Sequence, residues 1–84
     1  MHRYLVITLR LPAFDPAVAA PHYAFLDRLR DEGWLELAGP FTDRSGGAYV
    51  LRAESLAAAE SIAHTDPLHV TRSSQITVRE WAAQ

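Results

Sequence analysis

The segment Pro21-His22-Tyr23-Ala24-Phe25-Leu26, continuing to Gly33, decides how this chain folds. On an α-helix, residues at positions i, i+3, i+4 and i+7 share one face, and here they are His22, Phe25, Leu26 and Leu29. This apolar stripe must pack against the rest of the protein, and it carries a titratable imidazole. The sequence therefore points to a site at the packed face of this helix, without naming a substrate.

Outward from this helix, strand and helix patterns follow in a regular order. Alternation of apolar and polar residues predicts strands over 3–11, 34–41, 48–53 and 74–81. A second helix is predicted from Leu56 to about His64, with Ser55 as its N-cap, followed by a loop over 68–73. The turn formers at 42–47 predict that the third strand folds back on the second as a hairpin.

The first helix has two candidate starts. Pro16 could follow an Asp15 cap, or Pro21 could be the first helical residue. Because a proline inside a helix costs about 3 kcal/mol, we favour the start at Pro21, which leaves His22 in the first turn. Gly33 is the predicted stop.

The order β-α-β-β-α-β predicts one α+β domain over 1–84 with a ferredoxin-like fold. Its four-stranded antiparallel sheet would have both helices on one face. On the opposite face we expect apolar residues, namely Tyr4, Val6, Val50 and Trp34 or Trp81. A surface this apolar needs a cover, and a second copy of the chain is the simplest one, so we expect a homodimer.

Composition excludes several classes of function. Eight basic and ten acidic residues give a net charge of −2, and the arginines form no patch, so we expect no nucleic-acid partner. The chain has no cysteine, which excludes disulfides, zinc thiolates and a cysteine nucleophile. The apolar stretch 4–11 is too short to span a membrane, so we expect a cytoplasmic protein with no membrane partner.

The segment His64-Thr65-Asp66-Pro67-Leu68-His69 invites a metal interpretation. Its spacing matches none of the helical zinc patterns, and it crosses a predicted helix end where the side chains need not converge. A solvated turn is the better interpretation. We expect neither a metal nor another cofactor.

His22 and Asp66 form a sharper pair. In the predicted fold the helices are antiparallel neighbours, so the start of the first can approach the end of the second. A carboxylate bonded to one ring nitrogen would fix the tautomer and leave the other nitrogen free to exchange a proton. The alternative stays open that His22 is a hydrogen-bonded core residue and Asp66 a turn former ahead of Pro67.

Several landmarks along the chain carry a family resemblance. In order they are His22, Leu26, Gly33, Gly39-Pro40, Gly46-Gly47, Ser55, Ala59, Asp66-Pro67 and Trp81. In their order and spacing the chain resembles the YciI-like (YCII-related) family over nearly its whole length. The resemblance implies a ferredoxin-like fold that associates as a dimeric α+β barrel, similar in architecture to muconolactone isomerase.

The resemblance also implies an active site. The family's proposed His-Asp pair falls on His22 and Asp66, and Ser55 is a weaker carry-over because its capping role already accounts for it. One branch of the family eliminates chloride from a chlorinated hydroxyquinol by a base and without a metal. This chain has Leu68 where the family often has an aromatic residue, and its 69–72 loop is unlike the family pattern. We therefore do not transfer that reaction.

Two hypotheses follow for the function. The first is a small cofactor-free enzyme of lyase or isomerase type, acting by general acid/base catalysis on a small organic molecule, aromatic rings included. His22 would be the base and Asp66 its orienting partner, with Ser55, Arg72 or Arg52 contacting the substrate. The second is a non-catalytic dimeric module that binds a metabolite or a partner protein.

Overall fold

The computed structural model describes all 84 residues and places four strands in one antiparallel sheet. The strands are β1 (His2–Arg10), β2 (Leu35–Pro40), β3 (Gly46–Ala53) and β4 (Ser74–Glu80). The helices are α1 (Ala19–Asp31), α2 (Leu56–Ala63) and the short α3 (Pro67–Val70). The strand order β2-β3-β1-β4 and the helix layer confirm the predicted ferredoxin-like α+β fold. None of the helices combines the length and the hydropathy that a membrane-spanning helix requires.

Both candidate prolines lie near the start of α1, with Pro16 in a preceding 3-10 turn and Pro21 in the first turn of the helix. The Asp15 carboxylate accepts a hydrogen bond of 2.9 Å from the Ala17 N–H and caps a 3-10 turn over Pro16–Val18, which leads into α1 at Ala19. The helix therefore begins two residues before the predicted start at Pro21. That proline is tolerated because the N–H groups of a first turn have few partners inside the helix.

The two faces of the sheet differ from the prediction in one respect. Tyr4 and Val6 are 1% and 0% exposed and lie on the helix-covered face, so placing them on the open face was wrong. The open face instead takes the other parity of β1, with Leu5 opposite Val50. Because β1 is apolar in both parities, its alternation alone did not settle which set packs under the helices.

The predicted hairpin joins β2 and β3, but its turn is shorter than the predicted 42–47, because Gly46 and Gly47 already belong to β3. Pro40 pairs with Gly47, and Arg44 adopts a positive φ of 64° in the connecting turn. The start of β3 lies so close to β1 that a Cβ on Gly46 would overlap the carbonyl oxygen of Thr8. This approach places the β3 glycines against the end of β1, where they line the same cavity as the first turns of α1.

Candidate active site

Asp66 is held in place by the local sequence around it. It caps the short helix α3, with Pro67 as the first helical residue, which is the position that proline favours. Its Oδ1 accepts a hydrogen bond of 2.9 Å from the Leu68 N–H, and its backbone oxygen accepts one of 3.0 Å from the Val70 N–H. The segment 68–73, predicted to be a loop, therefore opens with this helix.

His22 meets this carboxylate across 44 residues of sequence. The distance from His22 Nδ1 to Asp66 Oδ1 is 2.9 Å. The Asp66 side chain is completely buried, whereas the His22 side chain is 15% exposed. His22 Nε2 makes no hydrogen bond within the protein. An ionised carboxylate can only accept a hydrogen bond, so Nδ1 must carry a proton when it bonds to such a group. The pair thus leaves Nε2 as the free nitrogen.

Tyr49 fixes the other side of the same carboxylate. Its hydroxyl donates a hydrogen bond of 3.0 Å to Asp66 Oδ2, and the residue is 2% exposed. Burial, followed by the charge and hydrogen bond of Asp66, raises the pKa of Tyr49 well above its ordinary value. The phenol therefore keeps its proton at neutral pH and donates to Asp66. The other two partners of this carboxylate are the His22 ring and the Leu68 backbone N–H.

A cavity of about 290 Å³ opens beside the His–Asp pair. His22 forms part of its wall, together with aromatic and aliphatic side chains, namely Phe14, Tyr23, Leu26, Pro40, Tyr49 and Leu68. Polar and charged groups also line it, namely Thr8, Arg10, Asp27, Arg30 and Ser74. This combination of an apolar wall and a few polar groups is typical of small-molecule sites.

The other predicted substrate contacts lie elsewhere. Ser55 caps α2, with its Oγ accepting a hydrogen bond of 3.1 Å from the Ala58 N–H. Arg52 extends from β3 toward Glu36, whose Oε1 lies 3.5 Å from its Nε. Arg72 borders a separate surface depression beside His69. The structure brings His22 and Asp66 together and places none of these three residues at the cavity.

The histidines that flank Asp66 point away from it. The His64 and His69 rings stack at the surface with their centres 4.4 Å apart, and His69 Nδ1 lies 3.1 Å from the His64 backbone oxygen. Asp66 turns inward to His22 instead. The three side chains form no metal-binding cluster.

Several residues that line the cavity were not singled out in the sequence. Tyr49, Arg10 and Ser74 all occupy strands, and their side chains leave the sheet on the helix-covered face. Strand parity could have revealed them, because Arg10 follows Tyr4, Val6 and Thr8 at spacings of two. The sequence did not show which parity was covered, so this signal could not be used.

Fold and cavity together define the class of this protein. It is a ferredoxin-like α+β protein in which a buried carboxylate contacts an imidazole that lines a small pocket. The chain belongs to the family of the YCII-related domain, whose model matches residues 3–82.

A sequence relative and two solved structures are similar to it. The uncharacterized protein YjpA of Bacillus subtilis (strain 168) is 48% identical over 81 residues, which cover 96% of this chain and 95% of YjpA. The 5-chloro-2-hydroxyhydroquinone dehydrochlorinase TftG of Burkholderia phenoliruptrix AC1100, solved in complex with 2,5-dihydroxybenzoquinone, superposes with a TM-score of 0.77 at 19% identity. That match covers 98% of this chain and 95% of TftG.

Muconolactone isomerase superposes with a TM-score of 0.73 at 22% identity, covering 100% of this chain and 91% of the isomerase. At these identities the two likenesses establish the fold.

Proposed function

We propose that this protein is a cofactor-free enzyme that moves a proton on a small organic substrate, with His22 as the general base and Asp66 as its orienting partner. The supporting observation is the 2.9 Å contact between His22 Nδ1 and a fully buried carboxylate, at the wall of a cavity. The aromatic lining of that cavity favours a ring-containing substrate.

The chemistry follows from the two nitrogens of the ring. Nε2 takes a proton from a carbon or hydroxyl of the bound molecule, and the ring becomes an imidazolium. The Asp66 carboxylate stabilises this charge and cannot turn away, because Tyr49 and the Leu68 N–H hold it. Returning the proton to another atom of the substrate gives an isomerisation, and expelling a leaving group gives an elimination. Such positioned proton transfer contributes about 10²–10⁴-fold in rate.

The proposal includes a homodimer in the cytoplasm. Large apolar side chains stand on the open face of the sheet, with Leu37 62% and Leu9 42% exposed. A second copy packed on this face would bury them. TftG and muconolactone isomerase share the fold of this chain. The resemblance to the YCII-related family implies that two such sheets pack face to face.

Solvent exchange tests the general base even while the substrate is unidentified. A panel of small carbon acids, including lactones, hydroxyquinones and cyclic keto acids, is incubated in D₂O, and deuterium uptake is followed by proton NMR. We expect the native protein to accelerate exchange for at least one compound and His22→Gln to lose about 10²-fold or more of that rate. His64→Gln, a surface histidine beside the same turn, is the matched control.

If no compound exchanges faster with the native protein than with His22→Gln, the general-base proposal is wrong. The alternative would then hold, a dimeric module that binds a metabolite or a partner protein. The exposed apolar residues of the open face favour that second function, because they support assembly whether or not His22 is catalytic.

A further inference from the structure

Arg10 and Ser74 face each other across the β1–β4 pair, and both line the cavity. Arg10 lies in the same strand parity as Val6 and Thr8, so its side chain leaves the sheet on the helix-covered face. Ser74 is its register partner and leaves the sheet on the same face. The two side chains therefore border one end of the cavity as neighbours on adjacent strands.

Arg10 contributes an uncompensated positive charge to the cavity wall. It forms no ion pair, whereas Arg30, the other arginine of the wall, lies 3.5 Å from the Asp27 carboxylate. The Arg10 guanidinium carbon lies 4.3 Å from the centre of the Phe14 ring. The ring attracts the guanidinium cation above its face, and the guanidinium N–H groups make no hydrogen bond within the protein, so they are available to an anion.

Ser74 contributes a polar group with no partner. The residue is 6% exposed, and its Oγ is buried without a hydrogen bond. Buried hydroxyls are almost always bonded, and an orphan costs free energy until it finds a partner. Rotation about its single χ1 bond allows this hydroxyl to turn toward a group bound in the cavity.

We propose that Arg10 and Ser74 form the subsite that binds the carboxylate of the substrate, which makes the substrate class a small cyclic or aromatic carboxylic acid. The guanidinium and the serine hydroxyl donate to the carboxylate oxygens, and the ring of the ligand lies against the apolar wall. This inference rests on the proposed function, because it identifies the end of the cavity that holds the substrate while His22 acts on it.

The test compares two probes of nearly equal shape at fixed ionic strength. Benzoate carries the carboxylate, and benzamide replaces it by a neutral amide. Each is titrated into isotope-labelled protein, and the dissociation constant is read from the backbone amide shifts of Gly46 and Gly47 in the cavity wall. We expect benzoate to bind about tenfold or more tightly than benzamide.

Variants assign this preference to its residues. Arg10→Gln should abolish it, Arg10→Lys should retain part of it because the charge stays while the fork is lost, and Ser74→Ala should weaken benzoate about threefold to tenfold. Arg28→Gln is the matched control, because Arg28 lies exposed on α1 outside the cavity. The amide spectrum of each variant verifies that it is folded.

Three results would overturn the inference: no binding of benzoate up to its solubility limit, equal affinity for the two probes, or equal losses in Arg10→Gln and Arg28→Gln. Unchanged benzoate binding in Ser74→Ala would remove the serine from the subsite. Binding is measured without turnover, so failure of the exchange assay with His22→Gln would reject the proposed catalysis and leave this subsite standing.

Discussion

The hydroxyl of Tyr49 donates a 3.0 Å hydrogen bond to Asp66 Oδ2, the carboxylate oxygen that does not contact His22. The bond joins the middle of the sheet to the cap of α3, and both partners are buried. Tyr49→Phe removes the donor and leaves that oxygen unpaired. We expect the free energy of unfolding, measured with urea, to fall by about 1–3 kcal/mol. Tyr23→Phe, which changes a half-exposed ring, should have little effect; equal losses in both variants would contradict a structural role for this bond.

Alkaline stability gives a second test of the same phenol. The pKa of Tyr49 is raised in the folded state by burial and then by Asp66, and that of Tyr4 by desolvation and then by Glu80. Above about pH 10 the unfolded chain releases protons that the folded chain keeps, so the free energy of unfolding falls as pH rises.

The limiting slope from Tyr49 alone is about 1.4 kcal/mol per pH unit. Urea unfolding at a series of pH values should show this decline, and it should be shallower in Tyr49→Phe. If the free energy of unfolding falls equally steeply with pH in the variant, the pKa of Tyr49 is not raised by folding.

Two substitutions of Asp66 separate its negative charge from its role as a hydrogen-bond acceptor. Asp66→Asn keeps an oxygen for the Leu68 N–H and should fold, yet it loses the negative charge that stabilises the imidazolium. We expect its exchange activity to fall on the order of 10²-fold or more, and Asp66→Ala to lose at least about 2 kcal/mol of stability as well. Asp15→Asn, at another helix cap, is the control, and equal activity of Asp15→Asn and Asp66→Asn would exclude Asp66 from the chemistry.

Two glycines at the hairpin make a matched pair. A Cβ on Gly46 would overlap the Thr8 carbonyl oxygen, whereas a Cβ on Gly39 would meet nothing within 4 Å. Gly46→Ala must push β3 from β1 at the edge of the cavity, so we expect a loss of about 2 kcal/mol or more, measured by thermal unfolding. Gly39→Ala should change stability by less than about 1 kcal/mol, and similar losses in both would mean that the strands adjust freely.

The open face of the sheet makes the homodimer testable. We expect the native protein to sediment as a dimer at micromolar concentration and Leu37→Glu to sediment as a monomer, because a buried charge in the interface is costly. Leu56→Glu changes another exposed leucine, 44% exposed and on the helix layer, and should remain dimeric. A native protein that is monomeric at this concentration would refute the dimer.

The order of the main strands and helices and the two residues of the His–Asp contact could be predicted, because each depends on short-range sequence patterns. Apolar spacing fixed the face of α1 that carries His22, and Asp66-Pro67 marked a helix boundary. The remaining parts depend on which parity of the strands lies under the helices. β1 is apolar on both faces, so the burial of Tyr4 and the exposure of Leu9 followed only from the assembled sheet, as did the arrival of Arg10 and Ser74 at the cavity. The hydrogen bond between Tyr49 and Asp66 likewise could not be predicted, because the local sequence around either residue does not indicate the other as its partner.

The side chains of the proposed site come from both β-α-β halves of the chain. His22 and Arg10 belong to the first half, whereas Tyr49, Asp66 and Ser74 belong to the second. Neither half contains all three hydrogen-bonded residues, His22, Asp66 and Tyr49. A proteolytic fragment that holds only the first half would therefore have the imidazole without its carboxylate. The proposed reactivity of His22 therefore depends on correct docking of the two halves.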